Sequence, residues 1–233
     1  MSIQAIVFDA YGTLFDVYSV GALAEKLFPG QGEALAALWR DKQIEYTHLR
    51  TLCAVYKPFW EVTQDALVFS CKKLGLDLTL DAQNALMGEY AHLHAFPENR
   101  EVLQQLQAMG FKLAILSNGN PQMLDAAITA AGMDGMFSHV LSADAVGKYK
   151  TAPEVYQLAP DVFGLSARHI LFVSGNGWDV CGATWFGYTT FWVNRSGAPL
   201  EELGVAPNAS GSDMRALLDY LRSQFKTNAQ GGV

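Results

Sequence analysis

The sequence predicts an α/β protein, a Rossmann-like, doubly wound parallel sheet with an inserted helical cap subdomain. Three observations lead there. Short apolar runs at residues 6–8, 112–116, 169–173 and 189–193 have the continuous hydrophobicity of strands buried on both faces. From residue 97 onward these runs alternate with stretches of helical period, which implies strand–helix–strand units and a parallel sheet. Between the first run and the second, residues 17–96 carry helical period and no convincing strand.

The first run, Ile6-Val7-Phe8, delivers Asp9 into a turn that holds Gly12 and Thr13. Open α/β sheets place ligands at the carboxyl ends of their strands. A carboxylate buried there needs a partner, so structural pairing, capping of the next helix and catalysis are all open for Asp9 on its own. Helical stretches follow at 19–28, 33–56, 59–74 and 81–94, broken at Pro29-Gly30, Pro58 and Gly75. They predict a four-helix cap over 17–96, set into a core made of 1–16 and 97–233, with Pro97 marking the return.

In the core, a helix at 98–109 closes on Gly110, and the strand 112–116 ends at Ser117-Asn118-Gly119. A helix at 121–131 opens on proline, and a short strand follows at 139–142. The helix 154–163 is expected to be shortened or kinked by Pro160. The strand 169–173 runs into the polar segment 174–179, then come a helix at 181–186, a strand at 189–193 and a closing helix at 214–225. Residues 227–233 read as a frayed tail. There is no internal repeat.

Half of the 233 residues are apolar and the formal net charge is −7. The pI is near 5.1 and the mean hydropathy +0.10. This balance argues against nucleic-acid or anionic-membrane partners, which need clustered basic residues, but a local Arg or Lys still permits a small anionic substrate. Cys53, Cys71 and Cys181 fit no C-x-x-C pattern and are expected to be reduced core residues. With no basic leader before an apolar segment and no run of spanning length, the expected location is cytoplasmic. His48, His92, His94, His139 and His169 follow no ligand spacing, so no metal site is expected.

Three of the buried strands end in polar clusters: Asp9 with Thr13, Ser117 with Asn118, and Ser174 with Asn176 and Asp179. In a parallel sheet those ends share one edge, and Lys150 follows the short strand toward the same edge. A carboxylate that is held ionised by a lysine and oriented by a hydroxyl is equipped for nucleophilic catalysis through an ester that water later cleaves.

These residues identify a resemblance to the haloacid dehalogenase superfamily, and within it to the L-2-haloacid dehalogenases. It covers nearly the whole chain: D-A-Y-G-T-L-F-D at 9–16, L-W-R at 38–40, L-S-N-G at 116–119, Y-K at 149–150 and S-G-N-G-W-D at 174–179. Superfamily phosphatases use Asp-x-Asp, whose second Asp protonates the leaving alcohol and helps arrange Mg²⁺, but here that position is Tyr11. Halide leaves without a proton, so the loss of the acid fits carbon–halogen displacement better than phosphoryl transfer.

The resemblance implies that Asp9 attacks C2 of an L-2-haloalkanoic acid and expels halide, and that water cleaves the ester to a D-2-hydroxy acid. Thr13 would orient Asp9 and Lys150 would pair with it, while Ser174, Asn176 and Asp179 would arrange the water. Arg40 would face the halide, with Asn118 and Trp178 completing its cradle. Ser117 and backbone amides would bind the substrate carboxylate, with Ala10 and Tyr11 among the substrate-binding positions. Phe59 would wall the alkyl side, and Tyr156 would support the lysine. The resemblance also implies no metal or cofactor, and a homodimer with apolar contacts from the cap.

Three departures accompany it, one of them Pro160 inside a helix that is usually regular. Thr151 follows Lys150 where proline is common, and Gly175 and Gly177 thin the last motif. Alternatives are ring opening of a small cyclic imino acid by the same displacement, a phosphatase, or a non-catalytic binding protein.

Overall fold

The computed structural model describes residues 3–230. Six parallel strands form one sheet: β1 (Ala5–Phe8), β2 (Lys112–Ser117), β3 (His139–Ser142), β4 (Ile170–Ser174), β5 (Thr189–Val193) and β6 (Ala209–Gly211). Their order is β3-β2-β1-β4-β5-β6. The order reverses beside β1, which places a crevice at the carboxyl end of that strand. Every residue of β1 is fully buried, as its unbroken apolar run demands. Phe8 lies level with Ile115 on one side and Val173 on the other. The residues just beyond these, Asp9, Ser117 and Ser174, therefore line one edge of the sheet.

Four helices separate β1 from the rest of the sheet: α1 (Gly21–Leu27), α2 (Gly32–Leu52), α3 (Phe59–Leu74) and α4 (Leu80–Ala91). The Thr79 hydroxyl caps α4 by accepting from Ala82 N–H. Within the cap, Trp39 donates its indole N–H to the Thr63 carbonyl at 2.7 Å and packs on Tyr90. Buried side chains of the cap, such as Leu35, Trp39 and Phe59, join Tyr11 and Phe15 and the sheet residues in one apolar cluster. The helices of the core are α5 (Asn99–Ala108), α6 (Pro121–Ala130), α7 (Pro153–Phe163), α8 (Gly177–Phe186) and α9 (Met214–Gln230).

The structure corrects several details. The helix α7 runs unshortened through Pro160 to Phe163. Proline removes the N–H that the Tyr156 carbonyl would have received, and the Tyr188 hydroxyl donates to that carbonyl instead at 2.5 Å. The helix α8 starts at Gly177 rather than at 181, so Trp178 and Asp179 lie on its first turn, where the carboxylate suits the helix dipole. The strand β6 has no apolar run to announce it. The helix α9 extends to Gln230, because no breaker comes before Gly231, and residues 231–233 lie outside the described residues. The helix α2 stops at Leu52, which leaves Cys53 exposed rather than in the core, whereas Cys71 and Cys181 are buried. Among the described residues no helix is long and apolar enough to cross a membrane.

Candidate active site

The site is built outward from Asp9, which is only 5% exposed. Past β1 the chain doubles back on itself, with the Ala10 carbonyl accepting from Leu14 and Phe15 N–H. This brings the Thr13 hydroxyl to Asp9 Oδ2 at 2.8 Å. The hydroxyl in turn accepts from Gly175 N–H at 2.7 Å, which tethers the turn to the segment after β4. A Cβ on Gly175 would sit 2.3 Å from the Gly12 carbonyl oxygen, so the approach of these two backbones requires glycine there. The bareness of this motif is thus a packing requirement at Gly175, whereas a Cβ on Gly177 would meet only the Glu201 side chain, at 3.2 Å.

Asn176 donates from Nδ2 to Asp9 Oδ2 at 2.8 Å and to the Tyr11 carbonyl at 2.9 Å. Lys150, 1% exposed, donates to Asp9 Oδ1 and to Asp179 Oδ2, each at 2.9 Å. Burial alone would lower the lysine's pKa, but the Asp179 and Asp9 carboxylates outweigh it and hold the pKa above its ordinary value. Burial pushes the Asp179 carboxyl up, with Lys150 opposing. The lysine is well anchored despite Thr151: its backbone N–H donates to Asn118 Oδ1 at 2.9 Å. Tyr156 meets Asp179 rather than Lys150, its hydroxyl donating to Asp179 Oδ1 at 2.7 Å. It is wholly buried behind the acid.

Arg40 reaches down from α2 and is 8% exposed. Its Nη2 donates to the Tyr11 carbonyl at 3.1 Å and to Asn176 Oδ1 at 3.2 Å, while Nη1 donates to Gln43 Oε1 at 2.7 Å. Every one of these acceptors is neutral. Arg40 forms no salt bridge among the described residues. One side-chain amide, Asn176, therefore spans the carboxylate of Asp9 and the guanidinium of Arg40.

The remaining candidates lie around this group without bonding to Asp9. The hydroxyls of Ser117 and Ser174 accept from the backbone N–H groups of Gly119 and Asn176, each at 3.1 Å, and shape the two strand ends. Phe59 is buried 5.7 Å from the Tyr11 ring, centroid to centroid. Trp178 turns toward the cap and meets the His48 ring edge-on at 5.3 Å. Burial holds Tyr11 well above the usual phenol pKa, so it stays neutral. Two clefts reach the group, of about 510 and 360 Å³, and Arg40 and Asn176 line both.

Sequence reading missed four supporting residues. Gln43 and Tyr90 hold Arg40 from within the cap, the Tyr90 hydroxyl donating to Gln43 Oε1 at 3.0 Å. Asn99 donates to the Thr13 and Leu14 carbonyls at 3.2 and 3.0 Å. Arg195 donates to Asn99 Oδ1 at 3.3 Å and pairs with Glu98 at 2.5 Å. Gln43 follows from Arg40 in the sequence itself, because residues three apart share a helix face. Nothing local marks the other three.

A haloacid dehalogenase-like hydrolase family model matches residues 3–187. An (S)-2-haloacid dehalogenase of Pseudomonas sp. (strain YL) is 46% identical, covering 95% of each chain. Haloacetate dehalogenase H-2 of Moraxella sp. (strain B) is 43% identical over 94% of this chain and 98% of its own. The crystal structure of an L-2-haloacid dehalogenase from Xanthobacter autotrophicus with chloropropionic acid covalently bound superposes with a TM-score of 0.88, at 37% identity over 94% of this chain and 98% of that one. The chain belongs to the haloacid dehalogenase-like hydrolases, among the L-2-haloacid dehalogenases.

Proposed function

We propose that this enzyme hydrolyses short-chain L-2-haloalkanoic acids to D-2-hydroxyalkanoic acids, with inversion at C2 and without metal or cofactor. The observation that carries this reading is the pairing just described. An oriented carboxylate with a lysine fixed against it and a buried guanidinium with no carboxylate in direct contact among the described residues are joined through Asn176.

An Asp9 oxygen attacks C2 from the side opposite the halogen, the carbon–halogen bond breaks, and its electron pair leaves on the halide beside Arg40. Stabilisation of that developing anion by Arg40, with Asn118 and Trp178 nearby, is the kind of electrostatic help that a desolvated site strengthens. The ester then lies between Lys150, which polarises it, and Asn176, which with Ser174 guides the hydrolytic water. The water oxygen bonds to the Asp9 acyl carbon, the acyl–alkoxy bond breaks, one water proton passes to the departing alkoxide oxygen and the other is released as Asp9 returns to its carboxylate, and the configuration set at C2 is retained. Asp179 has one oxygen on Lys150 and the other on Tyr156, so its part in this step is exerted through the lysine. Ser117 and the backbone at Ala10 and Tyr11 bind the substrate carboxylate, and Phe59 bounds its alkyl side. The ammonium of Lys150 occupies the space between two carboxylates where a cation would otherwise bind.

In this reading residues 17–96 form the cap over a core of 1–16 and 97–233. A homodimer with apolar contacts from the cap is supported by the exposure of Leu49, Leu52 and Val55 around the end of α2. The free thiols of Cys53, Cys71 and Cys181 fit a reducing, cytoplasmic setting. The test is halide release from the two enantiomers of 2-chloropropionate with EDTA present. Release from the L form alone, lost by roughly 10⁴-fold in Asp9→Asn, is expected. No release from either enantiomer by folded enzyme overturns the reading.

A further inference from the structure

A buried arginine normally carries a carboxylate partner, because an uncompensated charge is costly away from water. Arg40 has Gln43 in that place instead. Gln43 is fully buried and every polar atom of its side chain is engaged. Its Oε1 accepts from Arg40 at 2.7 Å and from the Tyr90 hydroxyl at 3.0 Å. Its Nε2 donates to Thr63 Oγ1 at 2.6 Å, and that hydroxyl donates to the Phe59 carbonyl at 2.8 Å. The amide is thereby fixed with its oxygen toward the guanidinium, at the place a Glu of the same length would offer a carboxylate.

We propose that Gln43 is a positioning residue that aims Arg40 at the reacting centre while leaving its positive charge available to an anion. A glutamate would hold the same geometry and neutralise the charge, and an apolar residue would leave the charge but release the aim. Gln43 supplies an acceptor without a charge. The identification of the anion as halide rests on the dehalogenase reading, whereas the anion site itself follows from the geometry.

The test compares sodium bromide binding, by titration calorimetry at constant ionic strength, in wild type, Gln43→Glu and Gln43→Met, with thermal unfolding recorded for each. In Gln43→Glu the Thr63 hydroxyl can turn to donate to the new carboxylate, so a near-native unfolding temperature is expected. Bromide binding should weaken by roughly tenfold or more. Gln43→Met should lower the unfolding temperature further yet lose less bromide affinity, an order that a purely structural role would not produce. Equal bromide affinity in wild type and Gln43→Glu, a larger loss in Gln43→Met, or no bromide binding by wild type overturns the proposal. If bromide binding shows the expected order but wild type releases no halide from 2-chloropropionate, the reaction reading falls and the anion site stands.

Discussion

Lys150 and Arg40 are both buried cations connected to Asp9, yet their surroundings differ in kind. Lys150 sits between two carboxylates, each at 2.9 Å, and its charge is fully answered within the fold. Arg40 meets an amide oxygen of Gln43, an amide oxygen of Asn176 and a backbone carbonyl, none of them charged. The first arrangement fixes a nucleophile permanently. The second leaves a positive charge without a carboxylate in contact among the described residues, which suits the leaving-group role proposed for Arg40. The lysine comes from the core and the arginine from the cap, so the reacting centre is assembled only where the two parts meet.

The largest effect is expected at the lysine. Lys150→Met leaves Asp9 and Asp179 buried without their shared cation, and should destabilise the fold by about 3–5 kcal/mol. It should also remove nearly all turnover, which denaturant unfolding and a halide-release assay would register separately. Arg40→Lys should be milder. An ammonium lacks the planar fork whose two nitrogens meet the Gln43, Tyr11 and Asn176 acceptors, so the halide-release rate should fall by roughly 10²-fold while stability changes less. A stability loss as large as that of Lys150→Met would mean that Arg40 is structural and the contrast mistaken.

The smallest effect lies in the pH dependence. The pKa of Lys150 is raised by its two carboxylates against the pull of burial. Its stabilising contribution is therefore complete below the ordinary lysine value of about 10.4 and is lost only as pH rises through the higher folded value. The alkaline limb of kcat/KM should lie above that ordinary value, and Asp179→Asn, which removes one of the carboxylates, should bring it down.

Much of this was legible in the sequence, for identifiable reasons. The strands β1, β2, β4 and β5 are buried on both faces, so their apolar runs stand out, and the polar residues at their ends are brought together by parallel pairing. That alone gathered Asp9, Ser117 and Ser174 along one edge. The β6 strand was not legible, because its three residues carry no apolar run. The start of α8 was obscured by Gly175 and Gly177; the first is required by the close approach to Gly12, whereas the second faces only the Glu201 side chain. Arg40 was legible only through the resemblance, since a lone arginine on a helix gives no sign of its neighbours. The Asn99 and Arg195 support beneath Thr13 joins segments more than eighty residues apart, which no local pattern marks.

A single turnover with enzyme in excess over L-2-chloropropionate in ¹⁸O-labelled water decides whether Asp9 carries the substrate as an ester cleaved at its acyl carbon. An ester on Asp9 places one heavy oxygen in the peptide bearing Asp9 and none in the hydroxy acid product. Heavy oxygen in the product, with Asp9 unlabelled, would mean that water attacks C2 directly and that no such ester forms.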